Sequence, residues 1–216
     1  MKIHTAEFVT SVGLQGRLPV SHLPQIVLVG RSNVGKSTLI NALARRKIAR
    51  AGGAPGTTRL LNVYRLALAR ARGELLLLDL PGYGYARGGS SKSGFDRLTE
   101  RYFQPDTGET PDRPGQVGPS GAILLVDARH PGLASDLEAL AWLKALELPV
   151  VAVATKIDRL KRSDQAKNLR AHQTALRHTV LPVSAKLGDG LPTFWMALLA
   201  LAGAARCHSP TGSATM

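Results

Sequence analysis

The stretch Gly30-Arg31-Ser32-Asn33-Val34-Gly35-Lys36-Ser37 fits the spacing G-x-x-x-x-G-K-[ST], and what flanks it decides the fold. Upstream, Ile26-Val27-Leu28-Val29 is an unbroken apolar run of the kind shown by a strand buried on both faces. Downstream, Ser37-Thr38-Leu39-Ile40-Asn41-Ala42-Leu43 reads as the start of a helix. Strand, glycine-containing loop and helix, in that order, make a cradle whose backbone N–H groups point at phosphate oxygens. Lys36 then reaches the β- and γ-phosphates of a nucleoside triphosphate, and the Ser37 hydroxyl ligates Mg2+.

Outward from this stretch, the apolar runs Leu75–Leu78, Ala122–Val126 and Val150–Ala154 read as further buried strands, and Val180-Leu181-Pro182-Val183 as a last one. Asn62–Arg70 is expected to pair with the strand that ends at Asp79. Helices are predicted from Ser135, over Asp164–Arg177 and over Leu191–Ala202. Ser135-Asp136-Leu137-Glu138 has capping-box spacing, and Leu137, Leu140 and Ala141 form the expected apolar stripe. Strands alternating with helices give an α/β fold, a mostly parallel central sheet flanked by helices on both faces. Ligands in such folds sit beyond the carboxyl ends of the strands.

Thr155-Lys156-Ile157-Asp158 directly follows one of those strands and resembles the guanine-reading [NT]-K-x-D signature of GTPases. The Asp158 carboxylate can accept from the N1–H and the exocyclic amine of guanine. Adenine would turn a lone pair toward it instead, and burying an unpaired polar group costs roughly 1–3 kcal/mol. Lys156 is expected to lay its stem over the base and return its ammonium to the phosphate loop. Ser184-Ala185-Lys186, after the last strand, resembles the S-A-K loop whose backbone N–H meets guanine O6. Asp79-Leu80-Pro81-Gly82 matches D-x-x-G: Asp79 holds Mg2+ through water, and Gly82 offers its N–H to the γ-phosphate.

Together, Gly30–Ser37, Pro55-Gly56-Thr57-Thr58, Asp79-Leu80-Pro81-Gly82-Tyr83-Gly84-Tyr85-Ala86, Val126-Asp127-Ala128-Arg129-His130 and Thr155–Asp158 resemble the EngB (YihA/YsxC) family of GTP-binding proteins. The resemblance extends over Ala6 to Ala202 and implies the P-loop GTPase (G-domain) fold, with GTP and GDP as ligands together with Mg2+; Tyr83, where many GTPases place a water-orienting glutamine after D-x-x-G, makes slow hydrolysis the expectation. The resemblance implies a switch acting on the bacterial large ribosomal subunit, through rRNA and ribosomal proteins, with an effect on cell division. It also selects Thr58 over Thr57 as a metal ligand beside Ser37 and Asp79, and makes Lys36 and Thr58 the expected catalytic groups. Asn33 has two readings: the resemblance implies a K+ ligand, whereas the residue type also suits a loop-shaping role. Asp127, Arg129 and His130 either carry function or form a strand-end turn.

The formal charge is +13, with basic groups at Arg45-Arg46-Lys47 and Arg50, at Arg70 and Arg72, at Arg159, Lys161 and Arg162, and at Lys167, Arg170 and Arg177. A field of that sign favours a polyanion, RNA above all inside a cell, or else simply solubilises the surface. The single cysteine, Cys207, allows no disulfide within the chain and suits a reducing compartment. The longest nearly apolar run, Phe194 to Ala205, is too short to span a bilayer. The expectation is a cytoplasmic protein with no membrane partner, monomeric off the ribosome. One GTP-binding domain is expected over 1–202, with a short N-terminal extension, a proline-rich loop near 104–118 and a disordered tail at 203–216. An ATP-using kinase or ATPase would share the phosphate loop but not Asp158. A GTP-gated RNA-binding module, in which hydrolysis only resets binding, is compatible with every motif.

Overall fold

The computed structural model describes residues 3–13, 21–49, 60–68, 73–83, 102–103 and 118–204. The segments 53–59 and 84–94, the stretch 104–117 and the tail from 205, all singled out in the sequence, lie outside the described residues. Seven strands form one sheet: β1 (Ile3–Val12), β2 (Gln25–Gly30), β3 (Leu61–Leu68), β4 (Glu74–Asp79), β5 (Pro119–Asp127), β6 (Val150–Thr155) and β7 (Val180–Pro182). Their order is β1-β3-β4-β2-β5-β6-β7. The pairs β1/β3 and β3/β4 are antiparallel and the rest parallel. Among the described residues the helices of two turns or more are α1 (Lys36–Ala44), α2 (Ala134–Ala145), α3 (Arg162–Leu176) and α4 (Leu191–Ala204). None of them is long and apolar enough to cross a membrane.

The unbroken apolar runs have the cause expected of them, because successive side chains feed cores on opposite faces of the sheet. Ile26, Leu28, Ile123 and Leu125 join Leu39 and Ile40 of α1 and Phe194 and Leu198 of α4. Their neighbours Val27, Val29, Leu124 and Val126 join Leu140 and Leu143 of α2 and Leu176 of α3. Every member of β2 is buried, and so are the last eight residues of β5. Burial of a side chain of this size contributes roughly 1.5–3 kcal/mol, so the parallel strands are held by packing on both sides.

Two elements depart from the sequence reading. β1 was not expected. Its register slips between Ile3 and Thr5 and again between Phe8 and Thr10, which breaks the two-residue alternation, and Phe8 and Val9 are exposed. Helix α2 also starts differently. Leu133 is its N-cap and no side chain caps it, so Ser135 lies inside the first turn and no capping box forms. The buried stripe is Asp136, Ala139, Leu140 and Leu143, whereas Leu137 and Ala141 face outward. Leu140 alone of the expected stripe is buried. Asp136 is drawn inward by polar partners 53 and 105 residues away, Tyr83 and Arg31.

Candidate functional site

The carboxyl ends of β2, β4, β5, β6 and β7 bring Gly30, Asp79, Asp127, Thr155 and Pro182 to one edge of the sheet, with Leu28 level with Asp79 and Asp127 level with Thr155. The loop 31–35 rises from β2 and turns into α1. Gly35 has φ +115°, a backbone that L side chains rarely adopt, which explains glycine there. Asn33 has φ +62° and an exposed side chain, so a loop-shaping role has a geometric basis. Lys36, the first residue of α1, folds back over the loop and donates from Nζ to the Gly30 carbonyl at 3.2 Å. Ser37 follows on the same turn.

Asp79 closes the floor. Burial pushes its carboxyl up to about 6, while the Lys36 ammonium and a hydrogen bond from Asn62 pull the other way. Burial in turn lowers Lys36, and Asp79 opposes that shift. Oδ1 of Asp79 is buried with no hydrogen-bond partner. A buried carboxylate oxygen short of a partner, with a hydroxyl on the neighbouring helix, is a hard oxygen donor set of the kind that suits Mg2+ or its bound water. Leu80 donates its N–H to Leu28 O at 3.1 Å, which brings Pro81 and Gly82 over the loop. At Gly82 a Cβ would stand 2.7 Å from Ser32 N and 2.9 Å from Ser32 Cα. Only glycine fits so close to that backbone.

Tyr83 continues the contact. Its carbonyl accepts from Ser32 N–H at 3.2 Å, and its hydroxyl donates to Asp136 Oδ1 at 3.0 Å. Arg31 Nε lies 3.4 Å from the same oxygen. Burial, then the Asp136 charge, raises the Tyr83 phenol far above its ordinary value. Burial likewise raises Asp136, against the Tyr83 hydroxyl and Arg31. This aspartate ties the D-x-x-G segment, the Gly30–Ser37 loop and α2 together, a role the sequence did not disclose.

The other wall comes from beyond β6. Thr155 Oγ1 donates to Val34 O at 2.7 Å, with Val126 O at 3.1 Å, and Lys156 Nζ donates to Asn33 O. Residues about 120 positions apart are therefore joined side by side. Lys156 Nζ is also 2.8 Å from Asp127 Oδ2, and Asp127 takes Arg129 Nε and Nη2 at 2.9 and 2.8 Å. Burial would raise the Asp127 carboxyl, but hydrogen bonds from Arg129 and Lys156 outweigh it and hold the group well below the usual carboxylate range. Arg129 N–H donates to Asp127 Oδ1 at 3.1 Å and His130 N–H to Asp127 O at 3.0 Å, so the strand-end turn forms, and the same carboxylate also holds Lys156. Lys156 turns through φ +60° into a short 3-10 turn (Ile157–Arg159), burying Ile157 and leaving Asp158 at the cleft. Ser184 Oγ donates to Asp158 Oδ1 at 2.7 Å and accepts Leu187 N–H at 3.1 Å. The sequence assigned the Ser184–Lys186 loop a backbone contact; its buried serine also fixes the carboxylate.

The structure thus brings together Gly30, Arg31, Ser32, Asn33, Val34, Gly35, Lys36, Ser37, Asp79, Leu80, Pro81, Gly82, Thr155, Lys156, Ile157, Asp158, Ser184, Ala185 and Lys186 at one edge. Gly56, Thr57 and Thr58 lie outside the described residues. Chemically, the edge offers a cation (Lys36) and turned backbone amides for an anion, a carboxylate with one unpartnered oxygen (Asp79 Oδ1) for a metal, and a serine-fixed carboxylate for a base.

Comparison with known proteins gives the same picture. The family model described as 50S ribosome-binding GTPase matches residues 25–156. The "probable GTP-binding protein EngB" of Pelotomaculum thermopropionicum is 38% identical over 83% of this chain and 84% of its own length. The protein of that name from Exiguobacterium sp. is 36% identical over 93% and 98%. A crystal structure of a "probable GTP-binding protein engB", 21% identical, shares the fold with a TM-score of 0.56 over 83% of this chain and 98% of that one. With an α/β sheet that carries every described motif at one edge, and relatives aligned over most of its length, the chain belongs to the EngB group of GTP-binding proteins and is a GTPase.

Proposed function

We propose that GTP and GDP bind in the cleft between the Gly30–Ser37 loop and the Thr155–Asp158 segment, and that the protein is a switch in assembly of the bacterial large ribosomal subunit. The observation that carries the reading is the pair of bonds from Thr155 and Lys156 to Val34 and Asn33, beside an Asp158 fixed by Ser184. A base held at Asp158 and phosphates held at the loop are then parts of one rigid wall. Lys36 and the backbone amides of 32–37 neutralise the phosphates, and Ser37, Asp79 and Thr58 hold Mg2+. Bound there, Mg2+ neutralises charge on the β- and γ-phosphates. Lys36 and Thr58 are assigned as the catalytic groups, Gly56 and Thr57 as further nucleotide-binding residues, and Ala185 and Lys186 border the base.

Hydrolysis is slow on this reading. Tyr83 stands directly after Gly82, and its hydroxyl is engaged by Asp136, so it does not orient a water. The exposed Asn33 side chain is a ligand for K+, whose charge speeds the reaction; turnover in KCl above that in NaCl supports this, and equal turnover refutes it. With GTP bound, the protein associates with rRNA and ribosomal proteins. It is cytoplasmic, a single GTP-binding domain and monomeric off the ribosome, and its effect on cell division follows from its effect on ribosomes. Co-sedimentation with purified large subunits tests the switch. Association is expected to be stronger with a non-hydrolysable GTP analogue than with GDP, and equal association with both overturns it.

A further inference from the structure

We infer that the outward face of α3 is a docking surface for the phosphate backbone of RNA, on a helix bonded to the Thr155–Asp158 segment and to the turn after β5. This deepens the ribosome reading and rests on it. Between Arg159 and Arg177 the basic residues Arg159, Lys161, Arg162, Lys167, Arg170 and Arg177 are all exposed, and Asp164 is the only acid in that span. The ion pairs of the described residues engage Arg31, Arg65, Arg129 and Lys156, so these six cations carry no internal counter-charge among the described residues. Lys167, Arg170 and the C-cap Arg177 lie at i, i+3 and i+10, which places them along one side of the helix, with Ser163 one turn before Lys167 and Thr174 between Arg170 and Arg177.

The opposite side of α3 faces the site. Gln165 Nε2 donates to Ile157 O at 3.2 Å, Asn168 Nδ2 donates to Ala128 O at 3.0 Å, and His172 Nε2 lies 3.1 Å from Asp127 O. Those carbonyls flank the residues that place Lys156 and Asp158. A ligand drawn to the outer face therefore bears on a helix bonded to the Thr155–Asp158 segment and to the turn after β5 that holds Lys156.

The composition of the outer face favours RNA over a protein partner. Protein interfaces draw their energy from buried aromatic and apolar anchors, and none stands among Arg162, Ser163, Ala166, Lys167, Arg170, Thr174 and Arg177, the exposed residues of α3 and its cap. A membrane-lying helix needs an apolar face as well. Phosphate contacts need only cations and hydroxyls, which this face supplies, within the field of a chain carrying +13.

The test uses the full-length chain and the double variant Lys167→Glu/Arg170→Glu. Binding to a duplex RNA and to purified large subunits is measured from about 50 to about 200 mM KCl, with GDP affinity as the folding control. The inference expects RNA affinity to fall about tenfold or more, and the salt slope to shallow by about one per lost contact, with GDP affinity within about twofold of the unaltered protein. Unchanged RNA affinity and slope would overturn it. Loss of subunit binding with duplex binding intact would also overturn it, in favour of an acidic ribosomal protein. If the unaltered chain does not sediment with large subunits under either nucleotide, the ribosome reading fails, whereas the duplex measurement still decides the role of α3.

Discussion

Lys156 shares one ammonium between the Asn33 carbonyl and the Asp127 carboxylate, so its reach across the cleft depends on a residue outside the T-K-I-D tetrapeptide. Replacing Asp127 with Asn removes the charge that holds both Lys156 and Arg129. We expect GDP to dissociate about tenfold faster, equivalent to roughly 1.4 kcal/mol, with GTP and GDP affected alike. Stopped-flow release of a fluorescent GDP measures it, and an unchanged rate would leave Asp127 with the strand-end turn alone. Lys36, Asp79 and Asp158 were legible in the sequence because each sits at a fixed spacing within a short motif next to an apolar run. Asp136 was not, because its partners Tyr83 and Arg31 are 53 and 105 residues away and only the folded sheet unites them. The Ser184 hydroxyl was half legible: its loop was recognised, its bond to Asp158 was not.

Among the elements, the four strands β2, β4, β5 and β6 were the most legible, since unbroken Val/Leu/Ile runs have few other uses in a chain of this kind. β3 and β7 were placed to within a few residues. β1 was missed because its bulges destroy the alternation that marks an edge strand, and its side chains are in part exposed. The phase of α2 was misread for a different reason: a polar residue, Asp136, occupies the buried stripe, and the apolar Leu137 faces out. Contact between elements makes a sharper prediction at Gly82, where the D-x-x-G segment lies against the Ser32 backbone. Gly82→Ala puts a methyl 2.7 Å from Ser32 N and displaces the segment. Loss of one hydrogen bond to a charged group costs about 1.5–3 kcal/mol. Affinity for a GTP analogue should therefore fall by about 10- to 100-fold while GDP affinity stays within about twofold, as read by calorimetry. Equal effects on the two nucleotides would remove Gly82 from the sensing of the third phosphate.

For the whole molecule, a sheet packed on both faces leaves its carboxyl edge as the place where loops from five strands meet, and that edge carries the described motifs. On the proposed reading one continuous wall serves two binding functions, phosphates at the Gly30–Ser37 loop and base at Asp158, and Asp158 gives the protein its choice of nucleotide. Titration calorimetry of the nucleotide-free chain with GDP and with ADP, repeated on Asp158→Asn, tests this most directly. Two hydrogen bonds at roughly 1–3 kcal/mol each predict GDP binding about 30-fold or more tighter than ADP, and a substitution that erases the preference. ADP binding as tightly as GDP, or a preference that survives Asp158→Asn, would contradict the account.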